Sequence, residues 1–272
     1  MKNGVLFEPY CVAIQDRAFQ YGDGCFTTAK IQLNHISLWP LHVQRLKRDC
    51  AKLMLTPDWH YVEYLIEDMK KASQLQYFTG TIKVIISRGE GPRGYGFSAS
   101  QKADVYVLFY ASQVVKPNYN EIVADVLALP IATQLMPALV GVKSLNRLEQ
   151  VLLKHELNSK GLSEALVLDH EGKVVEGVSS NCFLYLNGAW HTPELSGNGV
   201  HGVMRTEILS RMRNLGIVVY ETDIFKHMLD KVDALFFCNA LCPMQAVHTL
   251  SGRDLNTFIT KSLFNLLVLE QV

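Results

Sequence analysis

Hydrophobic and polar positions along the chain follow two periods, and the switches between them mark its elements. A β-prone run through Leu33 is entered from a tight corner, Asp16-Arg17-Ala18-Phe19-Gln20-Tyr21-Gly22-Asp23-Gly24, whose glycines permit positive φ or close backbone approach. From Pro40 the apolar positions Val43, Leu46, Cys50 and Leu53 fall at helical spacing, with Arg45 beside the stripe. A second helix over 58–75 is expected to turn Tyr61, Leu65, Ile66 and Met69 inward. Short strands are expected at 5–7, 11–14, 81–87 and 104–112. The pattern breaks at 115–120, which divides the chain into a first domain at 1–114 and a second at 121–272.

The second half opens with a strand at 122–129. Leu145, Leu148 and Leu152 then predict a helix directly behind Lys143. Residues 164–169 and 174–176 read as strands of a hairpin turned by His170-Glu171-Gly172-Lys173, followed by a strand at 182–186. His201-Gly202 opens a helix running to Asn214, and strands follow at 217–221 and 234–240, with a short helix at 225–230 between them. A last helix over 254–269 is expected to pack Phe258, Leu263, Leu266 and Leu267 inward. Elements of both kinds in both halves make this an α/β (α+β) chain of two domains.

Composition narrows the range of functions. The chain has 272 residues, 49% of them hydrophobic, enough for a core in each domain. Lys plus Arg and Asp plus Glu are both 26, so no basic surplus argues for nucleic acid or an anionic membrane, and a small-molecule substrate is expected. No apolar run has membrane-spanning length and the N-terminus lacks a signal-peptide core, which points to the cytoplasm. Six cysteines lie mostly in apolar stretches and read as reduced, buried thiols; Cys238 and Cys242 are four apart but lack a second pair for a metal.

A few residues stand out chemically. Lys143 is approached through Pro137, Ala138, Leu139, Val140 and Val142, and an ammonium in apolar surroundings is penalised, which favours a nucleophilic amine able to attack a carbonyl. Glu176 sits between two apolar strands and needs a cationic or protonated partner. Arg45 suits bidentate phosphate capture, and the Gly-preceded helix start at Val203 and Met204 offers free N–H groups. Each also has an ordinary reading, as a solvated lysine, a structural ion pair or a common helix start. The loop 88–96, with four glycines, two arginines and Tyr95, could grip a carboxylate. Lysine, carboxylate, arginine, helix start and the polar strand end at Asn239-Ala240 are together the parts of a pyridoxal-phosphate site.

The motifs Asp16-Arg-Ala-Phe-Gln-Tyr-Gly-Asp-Gly-Cys-Phe-Thr-Thr-Ala, His42-Val-Gln-Arg-Leu, Lys143-Ser-Leu-Asn-Arg-Leu-Glu-Gln, Glu164-Ala-Leu-Val-Leu-Asp, Glu176-Gly-Val-Ser-Ser-Asn-Cys-Phe and Gly202-Val-Met-Arg resemble, in order, those of the fold-type IV pyridoxal-phosphate enzymes. That family includes branched-chain and D-amino acid aminotransferases and aminodeoxychorismate lyase. The Thr27-Thr28 pair, Asn146 to Leu152 and Cys238 to Leu241 look like the lyase forms; aminotransferases typically carry Glu and a small or aliphatic residue at the Thr pair.

The resemblance implies a smaller N-terminal α/β domain and a larger C-terminal mixed-sheet domain, with pyridoxal 5′-phosphate between them, in a homodimer. It implies that Lys143 bonds the cofactor and shuttles the proton, Glu176 pairs with its ring nitrogen, and Arg45, Val203, Met204, Asn239 and Ala240 hold its phosphate. Thr28 would touch substrate or relay a proton, with Phe26, Arg93 and Tyr95 on the substrate, the last two commonly across a dimer interface. The implied reaction converts 4-amino-4-deoxychorismate to 4-aminobenzoate and pyruvate. The alternative is transamination of a D- or branched-chain amino acid.

Overall fold

A computed structural model describes residues 12–72, 78–98, 101–112, 118–132 and 136–272. The strand expected at 5–7, the first residue of the one at 11–14 and positions 115–117 of the connection lie outside these. The chain forms two compact units. The first runs to Val115 and takes back Val142–Asn146; the second holds Lys116–Gly141 and Arg147–Val272. The second domain expected at 121–272 is therefore interrupted, and the interruption carries Lys143.

In the first unit α1 (Arg17–Tyr21) leads through Gly22, a left-handed cap with φ 66, into β1 (Gly24–Gln32). Then follow β2 (His35–Ile36), α2 (Trp39–Lys52), α3 (Trp59–Ala72), β3 (Gly80–Ser87) and β4 (Asp104–Ala111), and the strands form one antiparallel sheet in the order β2-β1-β3-β4. Period-two alternation sends Cys25, Thr27, Ala29 and Ile31 of β1 into the core and leaves Phe26 and Thr28 half-buried on the opposite face. Leu46, Cys50, Val62 and Leu65 close over that core. The buried stripe of α2 is His42, Arg45, Leu46, Asp49 and Cys50, so Arg45 lies within the stripe and Val43 at its margin. Polar groups hold the centre of this helix face.

In the second unit the elements are β5 (Tyr119–Ala124), α4 (Leu148–Ser159), β6 (Leu166–Leu168), β7 (Val174–Gly177), β8 (Asn181–Leu186), β9 (Ala189–Pro193), α5 (Val203–Asn214), β10 (Val219–Thr222), β11 (Val232–Asn239), β12 (Cys242–Leu250), β13 (Arg253–Asp254) and α6 (Thr257–Leu266). Seven strands make a mixed sheet, β10-β9-β8-β11-β12-β13, with β5 parallel to β12, while β6 and β7 form the expected hairpin. Its core holds Leu184, Leu235, Phe237 and Val247.

Several expectations shift. Tyr119 and Asn120, assigned above to the connection, already pair with Met244 and Gln245, and β12 itself was not anticipated. The helix behind Lys143 starts only at Leu148, and its Leu148 and Leu152 are exposed while Leu153 and Leu157 are buried. In α6, Phe258 and Leu266 are exposed and Leu263 and Phe264 buried. In both helices a run of apolar residues offers more than one stripe, and spacing alone does not say which one packs.

Candidate active site

Lys143 is fixed by its backbone. Its carbonyl accepts from the Phe26 N–H at 3.0 Å, the Leu145 N–H donates to the Gly24 carbonyl at 3.0 Å, and Ser144 bridges Cys25. The segment thus pairs with β1 as a short antiparallel strip. Gly24 makes this approach possible, because a Cβ there would meet the Ile86 carbonyl oxygen at 2.4 Å and the Leu145 side chain at 2.8 Å. From the other side the buried Asp49 carboxylate accepts the Lys143 N–H at 3.0 Å through Oδ2, while its Oδ1 accepts Arg48 Nε at 3.0 Å and Nη2 at 2.7 Å. The Lys143 ammonium rests 4.8 Å from the Phe26 ring centroid, and Lys83 Nζ lies 4.6 Å from the same centroid. Lys83 is directly across from Thr28 in the β1–β3 ladder, and desolvation lowers its pKa. Phe26, Thr28, Lys83 and Lys143 therefore share one face of the sheet.

The other face carries Arg45. Its Nη2 donates to Thr27 Oγ1, which also lies 2.6 Å from His42 Nδ1. Arg45 and Asp49 are one turn apart on α2, so the arginine and the anchor of the Lys143 backbone belong to one helix face.

The second unit arranges its carboxylate through turns. Glu176 Oε2 accepts from the Val200 N–H at 2.9 Å and from Asn181 Nδ2 at 3.3 Å, and Asn181 also donates to the Val200 carbonyl at 3.0 Å. The turn between β7 and β8 is built on the buried Glu164, which accepts from the Val178 N–H (2.7 Å), the Ser179 N–H (3.2 Å) and Oγ (2.8 Å), and the Ser180 Oγ (2.6 Å). α5 begins after Gly202, whose N-cap position makes no side-chain bond, so the Val203 and Met204 amides are unused by their own helix. Glycine leaves room there for the Asn181 amide: a Cβ would meet Asn181 Oδ1 at 2.0 Å and would have to displace it. Asn239 folds the β11–β12 turn by accepting the Leu241 and Cys242 N–H groups, both at 2.9 Å, and donates to the Ser179 carbonyl at 3.5 Å.

One arginine of the loop after β3 departs from expectation. Arg88 is structural, with only 4% exposure, and binds Asp23 and the Leu53 and Met54 carbonyls. Arg17 grips the loop backbone at the carbonyls of Gly94, Tyr95 and Gly96. Arg93 and Tyr95, the proposed substrate contacts, face solvent, Tyr95 being 84% exposed.

The match to known proteins follows this plan. Residues 24–250 fit the family model described as Amino-transferase class IV. The chain belongs to that family. It is 31% identical to the aminodeoxychorismate lyase of Vibrio harveyi over 244 residues, covering 89% of each protein. It superposes on the solved 4-amino-4-deoxychorismate lyase from Pseudomonas aeruginosa with a TM-score of 0.85 at 29% identity, over 97% of this chain and 98% of that one. A putative branched-chain-amino-acid aminotransferase of Methanocaldococcus jannaschii is 28% identical, over 90% of this chain and 84% of its own length. The fold is the mixed α/β fold of this class.

The residues also fit pyridoxal phosphate. Each unit by itself holds groups of the kinds that cofactor requires: the first an amine at Lys143 and a buried guanidinium at Arg45, the second a 6%-exposed carboxylate at Glu176 and amides unused by their own helix at the start of α5. The sequence pointed to Lys143, Glu176, Arg45 and the α5 start. It missed His42, Thr27, Asp49, Glu164 and Asn181, although His42, Arg45 and Asp49 stand at 0, 3 and 7 on one helix, a spacing open to inspection.

Proposed function

We propose that this chain is a pyridoxal-phosphate-dependent lyase that splits 4-amino-4-deoxychorismate into 4-aminobenzoate and pyruvate. The observation that carries the reading is the shared face of β1, where Thr28 lies two residues along from Phe26, whose ring bears the Lys143 ammonium. When bound, the cofactor would supply a carbonyl for amines and an electron-withdrawing ring. Lys143 would hold that carbonyl and, as a free amine, would take the proton from the carbon bearing nitrogen. Thr28 relays a proton toward the departing pyruvate. Glu176, held by the Val200 amide and Asn181, keeps a proton on the ring nitrogen. Arg45 and, in the other unit, the Val203 and Met204 amides with the Asn239-Ala240 turn bind phosphate. Substrate and products balance without a second substrate, since pyruvate and 4-aminobenzoate together contain every atom of the starting material.

Similarity to two lyases, at 31% and 29% identity, supports this reading. Arg93 and Tyr95, exposed on a loop whose backbone Arg17 fixes, support a homodimer in which they reach a neighbouring copy's substrate. No helix among the described residues is long and apolar enough to cross a membrane.

The test supplies cofactor-loaded protein with 4-amino-4-deoxychorismate and follows 4-aminobenzoate and pyruvate together. Equal release of both, abolished in Lys143→Ala, supports the lyase. Nitrogen exchange between an amino acid and 2-oxoglutarate, with neither product formed, would move the chain to the aminotransferase reading that the Methanocaldococcus relative favours.

A further inference from the structure

Thr27 and Thr28 are neighbours on β1 with opposite duties. Thr27 is 1% exposed and, among the described residues, its hydroxyl meets His42 and Arg45. A hydroxyl has one proton to give and two lone pairs. The guanidinium can only donate, so one lone pair of Thr27 is committed to Arg45. If Thr27 gives its proton to His42 Nδ1, the imidazole carries its hydrogen on Nε2, which has no hydrogen-bond partner among the described residues. If instead Nδ1 donates to Thr27, both the threonine proton and the Nε2 lone pair are stranded. Within the Thr27–His42 pair the first arrangement strands one group and the second strands two, so the first is favoured. Burial, helped by the Arg45 charge, holds the imidazole neutral, with its pKa lowered to about 3, so Nδ1 stays an acceptor at ordinary pH.

We propose that His42 and Thr27 are positioning residues for Arg45, a one-directional chain of hydrogen bonds that orients its guanidinium for the phosphate of the cofactor. The proposal rests on the reading that Arg45 binds that phosphate. An arginine has four side-chain torsions to fix, and the chain fixes its tip before the anion arrives. It also divides the threonine pair: Thr28 faces the lysine and Thr27 serves the phosphate group.

The test compares two ligands on the full-length protein, freed of cofactor and titrated back: pyridoxal phosphate, and pyridoxal, which lacks the phosphate. Arg45→Met should collapse the preference for the phosphorylated ligand. Thr27→Val should lower affinity for pyridoxal phosphate roughly tenfold or more while affinity for pyridoxal stays within about twofold, and Thr27→Ser should restore the wild-type ratio. On an Arg45→Met background Thr27→Val should add nothing. If Thr27→Val yields no folded protein, His42→Leu carries the same comparison. An equal loss for both ligands, no loss for either, or a further loss on the Arg45→Met background would overturn the proposal. An unchanged ligand ratio in Arg45→Met would instead remove the phosphate reading of Arg45, and the proposal with it.

Discussion

Replacing Asp49 separates the anchoring of Lys143 from its chemistry. The carboxylate is fully buried and takes three donors: the Lys143 N–H at 3.0 Å, and Arg48 at 3.0 and 2.7 Å. Asn keeps one acceptor and gains two N–H donors. With its oxygen toward Lys143 the new amide group faces Arg48, whose side chain is 34% exposed and can turn to water, and the buried amide N–H is left without an acceptor, at a cost of about 1–3 kcal/mol. With the amide group toward Lys143, the Lys143 N–H loses its acceptor as well. The first orientation wins, and Asp49→Asn should lose about 1–3 kcal/mol. Asp49→Ala loses both partners and should fall by about 2–4 kcal/mol.

The rate should follow the anchor. A displacement of roughly 1 Å at a reacting group costs on the order of a hundredfold. Asp49→Ala should therefore lose about that much in kcat on folded, cofactor-loaded protein, and Asp49→Asn at most about tenfold. Urea unfolding at equal cofactor loading gives the first quantity, and initial rates of 4-aminobenzoate release give the second. An Asp49→Ala protein as stable as wild type would refute the hydrogen-bond argument. One that is destabilised yet turns over at the wild-type rate would show that the Lys143 backbone needs no such anchor.

Three further outcomes follow from the same geometry. Thr28→Val should keep stability within about 1 kcal/mol and lower kcat for 4-aminobenzoate formation by about 10²–10⁴; unchanged kcat would take Thr28 out of the proton relay. Glu164→Gln must turn an amide group toward buried donors on the turn after β7, and should cost about 2–4 kcal/mol in denaturant unfolding; a neutral result would mean the turn holds Glu176 in place unaided. His42 is neutral when folded and takes a proton more readily when unfolded, since its pKa falls from 6.5 to about 3 on folding. Its contribution to stability is thus complete above pH 6.5 and lost as pH drops toward 3, at about 1.4 kcal/mol per pH unit. His42→Leu should flatten the acid limb of the stability profile by that slope, and parallel limbs would contradict it.

The groups proposed for the chemistry stand out in the chain: Lys143 by its apolar approach, Glu176 by its place among apolar strands, and Gly202 by preceding a helix. Their supports were not. Glu164 and Asp49 look like ordinary acids in a sequence, and only folding shows each carboxylate surrounded by backbone amides and hydroxyls that no local pattern announces. Thr27 and Thr28 read as one motif, although strand alternation was enough to put them on opposite faces. Leu145, Leu148 and Leu152 misled for a different reason. Residues 143–145 have a better use as a strip against β1, so the helix begins after them and is rotated to bury Leu153 and Leu157. Backbone hydrogen bonding between segments distant in sequence outweighs local periodicity there.

The spacing on α2 works as a gauge. Arg45 and Asp49 are four residues apart on one helix, a separation of about 6 Å along the axis fixed by helical rise. Sliding or tilting α2 as a body carries both groups together and leaves that interval unchanged. An inserted residue between them would instead swing one group about 100° around the helix, out of the buried stripe. The length of this segment should therefore tolerate less variation than its packing, because its calibration resides in covalent count.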